Sequence, residues 1–151
     1  MGKANKADSG QPYIASHRFL IELDGITVGS FKQMGGLSSK QDVIEYKLGG
    51  DKSVRRKPGR VTFNNITLEK GFTDDTALAD WRQAIVDGKD DRKTGAIVFL
   101  NADGSEALRY NFFRAWPVNW EGPALNAGGS DTAIEKIELA VEWIQVEAAA
   151  G

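Results

Sequence analysis

Ile134-Glu135-Lys136-Ile137-Glu138-Leu139-Ala140-Val141-Glu142-Trp143-Ile144-Gln145-Val146 is the stretch on which the fold class turns. Ile137, Leu139, Val141 and Trp143 alternate as on a half-buried strand, yet Ile134, Ile137, Val141 and Ile144 also fit a helical stripe. Periodicity alone leaves both open. The β-branched and aromatic content, with Glu138 and Glu142 opposite Leu139 and Trp143, favours a long strand.

Working back from there, Ala96–Leu100 and Ala107–Phe113 read as strands flanking Asp103-Gly104, a pair suited to a primed hairpin turn because it tolerates positive φ. One segment reads as a helix, at about 74–87. Thr73 is placed to cap it, Asp74 and Asp75 favour its positive start, and Leu78, Trp81 and Ile85 recur at i, i+3 and i+7. Gly88 is placed to end it. Before it, Val61 and Phe63 lie in one parity and Ile66 and Leu68 in the other, so the inward face switches near Asn64-Asn65. A bulge there would let one strand serve two packed sheets, which predicts β architecture with strong curvature.

Residues 49–60 carry Gly49, Gly50, Pro58 and Gly59 among Lys52, Arg55, Arg56, Lys57 and Arg60, which predicts a long exposed loop. Ser39–Leu48 reads as a strand despite the adjacent Val43 and Ile44. Phe19, Ile21 and Leu23 alternate with Arg18, Glu22 and Asp24 as a strand ending at Asp24-Gly25, and Val28–Met34 reads as its return. The expected organisation is an N-terminal extension over 1–15, one domain over 16–147 and a tail over 148–151.

A chain of 151 residues suits a single core. Its 19 basic and 21 acidic residues balance to -2, which argues against a sequence-independent nucleic-acid binder. No apolar run approaches the roughly 20 residues of a membrane helix, so no membrane insertion is expected. Met1–Pro12 lacks the apolar centre of a secretory signal, so assembly in the cytoplasm is expected.

Chemistry is sparse. There is no cysteine, and His17 is the single histidine, read as a surface residue before the first strand. The aspartates at 74, 75, 80, 87, 90 and 91 lack calcium-loop spacing and read as caps and solvated groups. Gly35-Gly36, Gly49-Gly50 and Gly128-Gly129 match no phosphate-binding fingerprint and read as turns. No catalytic residue, cofactor or metal site is expected. The strongest candidate site is the basic segment, whose five cations within nine residues create a local positive field. Without aromatics for stacking or a helix for groove entry, it fits an acidic protein partner better than specific nucleic-acid recognition.

In order along the chain stand Phe19-Leu20-Ile21-Glu22-Leu23-Asp24-Gly25-Ile26, Gly36-Leu37, Glu45-Tyr46 with Gly49-Gly50, Arg56-Lys57-Pro58-Gly59, and Asn65-Ile66-Thr67-Leu68 with Gly71 and Thr73. Then follow Trp81, Ala115-Trp116-Pro117, Trp120-Glu121-Gly122-Pro123, Leu125-Asn126-Ala127, Ala133-Ile134-Glu135 and Ile137-Glu138-Leu139-Ala140. Together these resemble the inner-tube proteins of contractile phage tails and of phage-tail-like extracellular injection systems.

The resemblance implies a mainly β fold, two packed antiparallel sheets with one flanking α-helix (the tail-tube or Hcp-like β-barrel). It implies a ring-shaped homo-hexamer stacked into a tube that carries DNA or protein cargo, with sheath and baseplate or adaptor tube proteins as partners. The final location would be an extracellular particle or virion tail. It also resolves 134–146 as strand, and it makes Gly49, Gly50, Asp51, Lys52, Arg55, Arg56, Lys57 and Pro58 the candidate subunit or ring interface. The competing readings are a secreted type VI-like ring protein and a monomeric β-barrel binding module.

Overall fold

The computed structural model describes residues 19–24, 26–123 and 133–148. The readings that fall on His17, the 1–15 extension, Gly128-Gly129 and Leu125-Asn126-Ala127 lie outside them.

The chain opens on β1 (Phe19–Leu23) and β2 (Ile26–Ser30), whose pairing of Leu23 with Ile26 leaves a two-residue turn with Asp24 at φ 54°. Aspartate is among the few side chains that accept this left-handed conformation. The expected single return strand is divided: β2 ends at Ser30, Phe31 turns into the core, and β3 (Gln33–Gly35) joins another sheet.

Two strands, β4 (Ser39–Tyr46) and β5 (Arg55–Phe63), then pair, among the described residues, only with each other. After them come β6 (Ile66–Gly71), α1 (Ala77–Val86), β7 (Lys93–Leu100), β8 (Glu106–Glu121), β9 (Ile134–Ala140) and β10 (Trp143–Ala148). One antiparallel sheet runs β2-β1-β7-β8-β10, and the other β8-β9-β6-β3. The fold is therefore mainly β with one helix, as expected.

The parity switch at Asn64-Asn65 marks a change of element, not a bulge within one strand. Val61 and Phe63 belong to the β4–β5 ribbon, whereas Ile66 and Leu68 are buried in β6. The strand that serves both sheets is β8. Its buried positions change parity from Phe112 to Ala115 across Arg114, which sits at φ 55°. The C-terminal stretch crosses the same corner as two strands, broken at Val141-Glu142, where the Glu142 N–H donates to Phe113 O at 3.1 Å. Arg114 Nε binds Glu142 Oε2 at 2.9 Å, tying the two crossings together. Ala148, expected in the tail, is the last residue of β10.

The core gathers Phe19, Ile21, Ile66, Leu68, Ile97 and Phe112 with Leu78 and Trp81 of α1. Gly95 is required where β1 and β7 meet over Phe112: a β-carbon would lie 2.4 Å from Glu22 O and 2.6 Å from the Phe112 ring. The helix is shorter than expected. Thr73 instead accepts the Asp75 N–H at 3.2 Å and Asp75 accepts that of Ala77 at 3.0 Å, so two successive side-chain turns precede the first helical residue. Gly88 does end it, at φ 88°, with Lys89 N–H bonding Ala84 O and Gly88 N–H bonding Ile85 O. Trp81 Nε1 donates to Asp91 O at 2.6 Å and Arg82 Nη1 to Pro117 O at 2.8 Å, holding the helix to the sheet corner.

The hairpin at Asp103-Gly104 exists, but with a three-residue connection. Gly104 N–H bonds Asn101 O at 2.9 Å and Asn101 N–H bonds Ser105 O at 2.7 Å, with only Gly104 left-handed at φ 89°. That is a type I turn closed by a glycine bulge, in place of the primed turn expected.

Candidate assembly surface

The basic segment does not form one long loop. Arg55–Arg60 lie within β5, and the irregular connection shrinks to residues 47–54. Cationic side chains oppose burial, not extension, and both faces of this ribbon meet water. Every residue of β4 is exposed. The ribbon is an arm standing off the two-sheet body.

Its tip is organised around Asp51, whose carboxylate accepts the Leu48 N–H at 2.9 Å and two bonds from Arg55, at 2.7 Å from Nε and 3.1 Å from Nη2. Gly50 takes the left-handed conformation between them, at φ 87°. The Arg55 guanidinium, and then the Leu48 amide, hold the Asp51 carboxyl below its usual range, and Asp51 raises Arg55 in return. Further down, Arg56 Nε meets Glu45 at 3.3 Å across the strands, and Lys57 Nζ lies 5.5 Å from the centre of the Tyr46 ring. A bulge on β5, where Gly59 and Arg60 together oppose Asp42, gives Pro58 and Gly59 a place in a strand, and Gln41 Nε2 donates to Gly59 O at 3.0 Å.

Three of the five expected cations are thus engaged within the arm. Among the described residues Lys52 and Arg60 have no ion-pair partner. What the charge pattern missed is the apolar content: Val43 is 58% and Leu48 53% exposed, with Ile44, Tyr46, Val54 and Val61 also open to solvent. The adjacent Val43 and Ile44, which break alternation, were the signal for it. A two-stranded ribbon is at best marginally stable in water, and contiguous exposed apolar side chains mark interaction surfaces.

The arm's root is held by the Asn64 N–H on Ser38 O at 3.1 Å, by the Asn64 amide on the Ser38 hydroxyl, and by Phe63 packed on Trp143 with ring centres 4.7 Å apart. Elsewhere, β2 and β10 flank the first sheet and β3 the second, each paired on one side only among the described residues. Trp116 and Trp120 are both partly buried, and Pro117 between them is fully buried. Trp120 Nε1 donates to buried Glu135 at 2.7 Å.

The family model of the T4-like virus tail tube protein gp19 matches residues 15–145. Among solved structures, a chain of the PVC sheath–tube complex, an extracellular contractile injection system in its extended state, superposes with a TM-score of 0.82 at 26% identity. That match covers 98% of this chain and 100% of that one. The tube-terminating cap of the anti-feeding prophage gives 0.82 at 28% identity, covering 97% and 100%. Hcp1 from Flavobacterium johnsoniae, at 16% identity and a TM-score of 0.55 over 87% and 96%, shares the fold. No curated protein sequence matches the chain.

Proposed function

The chain belongs to the family of the T4-like virus tail tube protein gp19, structural proteins of tail tubes, and from that premise we propose that it works by assembly and not by catalysis. Copies form hexameric rings, the rings stack into a hollow tube inside a sheath, and DNA or protein cargo passes along the lumen. Baseplate or adaptor tube proteins start the stack. The parts fold in the cytoplasm and act in an extracellular particle or a virion tail, without membrane insertion or sequence-specific nucleic-acid binding by this chain.

The observation that carries this reading is the arm. Exposed on both faces and bearing Val43, Ile44, Tyr46 and Leu48 beside Arg55, Arg56, Lys57 and Arg60 of β5, it has the composition of a surface completed by a neighbour. The candidate interface, Gly49 to Lys52 and Arg55 to Pro58, therefore contacts an adjacent subunit or ring. Open edges at β2, β3 and β10 add a second reason, because a closed ring removes edges that would otherwise aggregate.

Arg55→Glu combined with Arg56→Glu breaks the pairs with Asp51 and Glu45 and reverses the arm's charge. The variant is expected to keep the wild-type circular dichroism and to stay monomeric in sedimentation. Full-length tubes from this variant would contradict the assignment of the arm.

A further inference from the structure

We infer that Trp143 is a positioning residue for the arm: its indole, packed on Phe63, sets the angle at which the arm leaves the body. This rests on the arm being a contact surface between copies, as proposed above.

Among the described residues the β4–β5 ribbon pairs with no other strand, so no ladder to a neighbouring strand fixes its direction. At its root, the bonds between Asn64 and Ser38 tie the two ends of the ribbon to each other, not to either sheet. The ring contact of Phe63 with Trp143, at 4.7 Å and an interplanar angle of 60°, reaches across to β10. Trp143 is itself on firm ground, because β10 pairs with β8 from Trp143↔Phe113 to Ala148↔Leu108. A tilted aromatic pair has a preferred geometry and resists sliding. The indole nevertheless remains 50% exposed, more than packing for stability alone would leave open.

The lever is long. The nine residues of β5 span about 30 Å at strand rise, so about 10° of tilt at Phe63 moves the far end by about 5 Å. That is the spacing between neighbouring strands, enough to lose the register of a docked contact. A modest loosening at the root is therefore felt mainly at the tip.

The chain has no cysteine, so Ser53→Cys at the tip and Lys89→Cys on the body accept spin labels without background. Distances between them are measured by double electron–electron resonance below the concentration at which tubes form. Trp143→Ala is expected to preserve the far-UV circular dichroism, widen the distance distribution at least twofold and cut tube yield at least tenfold, with Trp143→Phe restoring both. Phe63→Ala, which removes the contact from the arm's side, should widen the distribution as much while preserving the far-UV circular dichroism, and the double variant should widen it no further. An unchanged width in folded Trp143→Ala or in Phe63→Ala overturns the inference. Widening with normal tube yield and unchanged helical twist overturns its link to assembly. Failure of the wild-type chain to form tubes while the widths behave as expected would instead count against the tube reading alone.

Discussion

Lys70 and Glu135 face each other across β6 and β9, with side chains 6% and 2% exposed and 3.6 Å between Nζ and Oε1. Glu135 Oε2 is bonded by Trp120, whereas Oε1 has no hydrogen-bond partner. Both charges continue the inward parity of Ile66 and Leu68 on one strand and of Ile137 and Leu139 on the other, so each was readable as inward-facing. That they meet depends on register, which no single strand encodes. Removing one partner leaves a buried charge uncompensated, so Lys70→Met should cost about 3 kcal/mol in urea unfolding. Adding Glu135→Gln, which keeps an acceptor for Trp120, should recover most of that loss. A second cluster is sensitive to acid. Arg109 binds Glu106 at 2.9 Å and Glu22 at 2.8 Å, and its guanidinium lowers the Glu106 carboxyl below the ordinary 4.5. A folded-state value below the unfolded one contributes stability above the unfolded value, and the contribution is lost as pH falls through the folded one. Thermal unfolding below pH 4.5 should therefore lose stability more steeply in the wild type than in Arg109→Gln.

β8 is the element that makes two sheets one body. Arg114 holds its bend in the left-handed region, which costs a non-glycine residue about 1 kcal/mol or more. Arg114→Gly relieves the strain but loses the bond to Glu142, so stability should shift by less than about 1 kcal/mol. Arg114→Val, β-branched and without the ion pair, should lose about 2 kcal/mol. Equal costs for the two would show that the left-handed backbone is not what matters at the corner. The strands were legible in alternation, and so was the helix end at Gly88. The corner was misplaced because a parity change looks the same in sequence whether a strand bends, as at Arg114, or one element ends and another begins, as at Asn64-Asn65. The arm's first strand was legible in Ser39–Leu48, but most of its second was read as a loop for a related reason: the Gly, Pro and cationic residues of 49–60 report exposure, and a ribbon wet on both faces satisfies them as well as a loop does.

At the scale of the whole molecule, the folded chain presents a two-sheet body with open edges and a projecting arm, the form of a part completed by its neighbours. The family was legible because its motifs are spread from Phe19 to Ala140 in a fixed order, and the tail tube model matches residues 15–145. Interface contacts were not, because they depend on surfaces that come together only between copies. Cryo-electron microscopy of particles purified from cells expressing the chain with its sheath and baseplate partners tests the central claim most directly. The account predicts a hollow tube of stacked six-fold rings built from this chain, with residues 39–63 of each copy resting on an adjacent copy. A tube in which the arms touch no neighbour, or particles lacking this chain while it remains monomeric in solution, would contradict it.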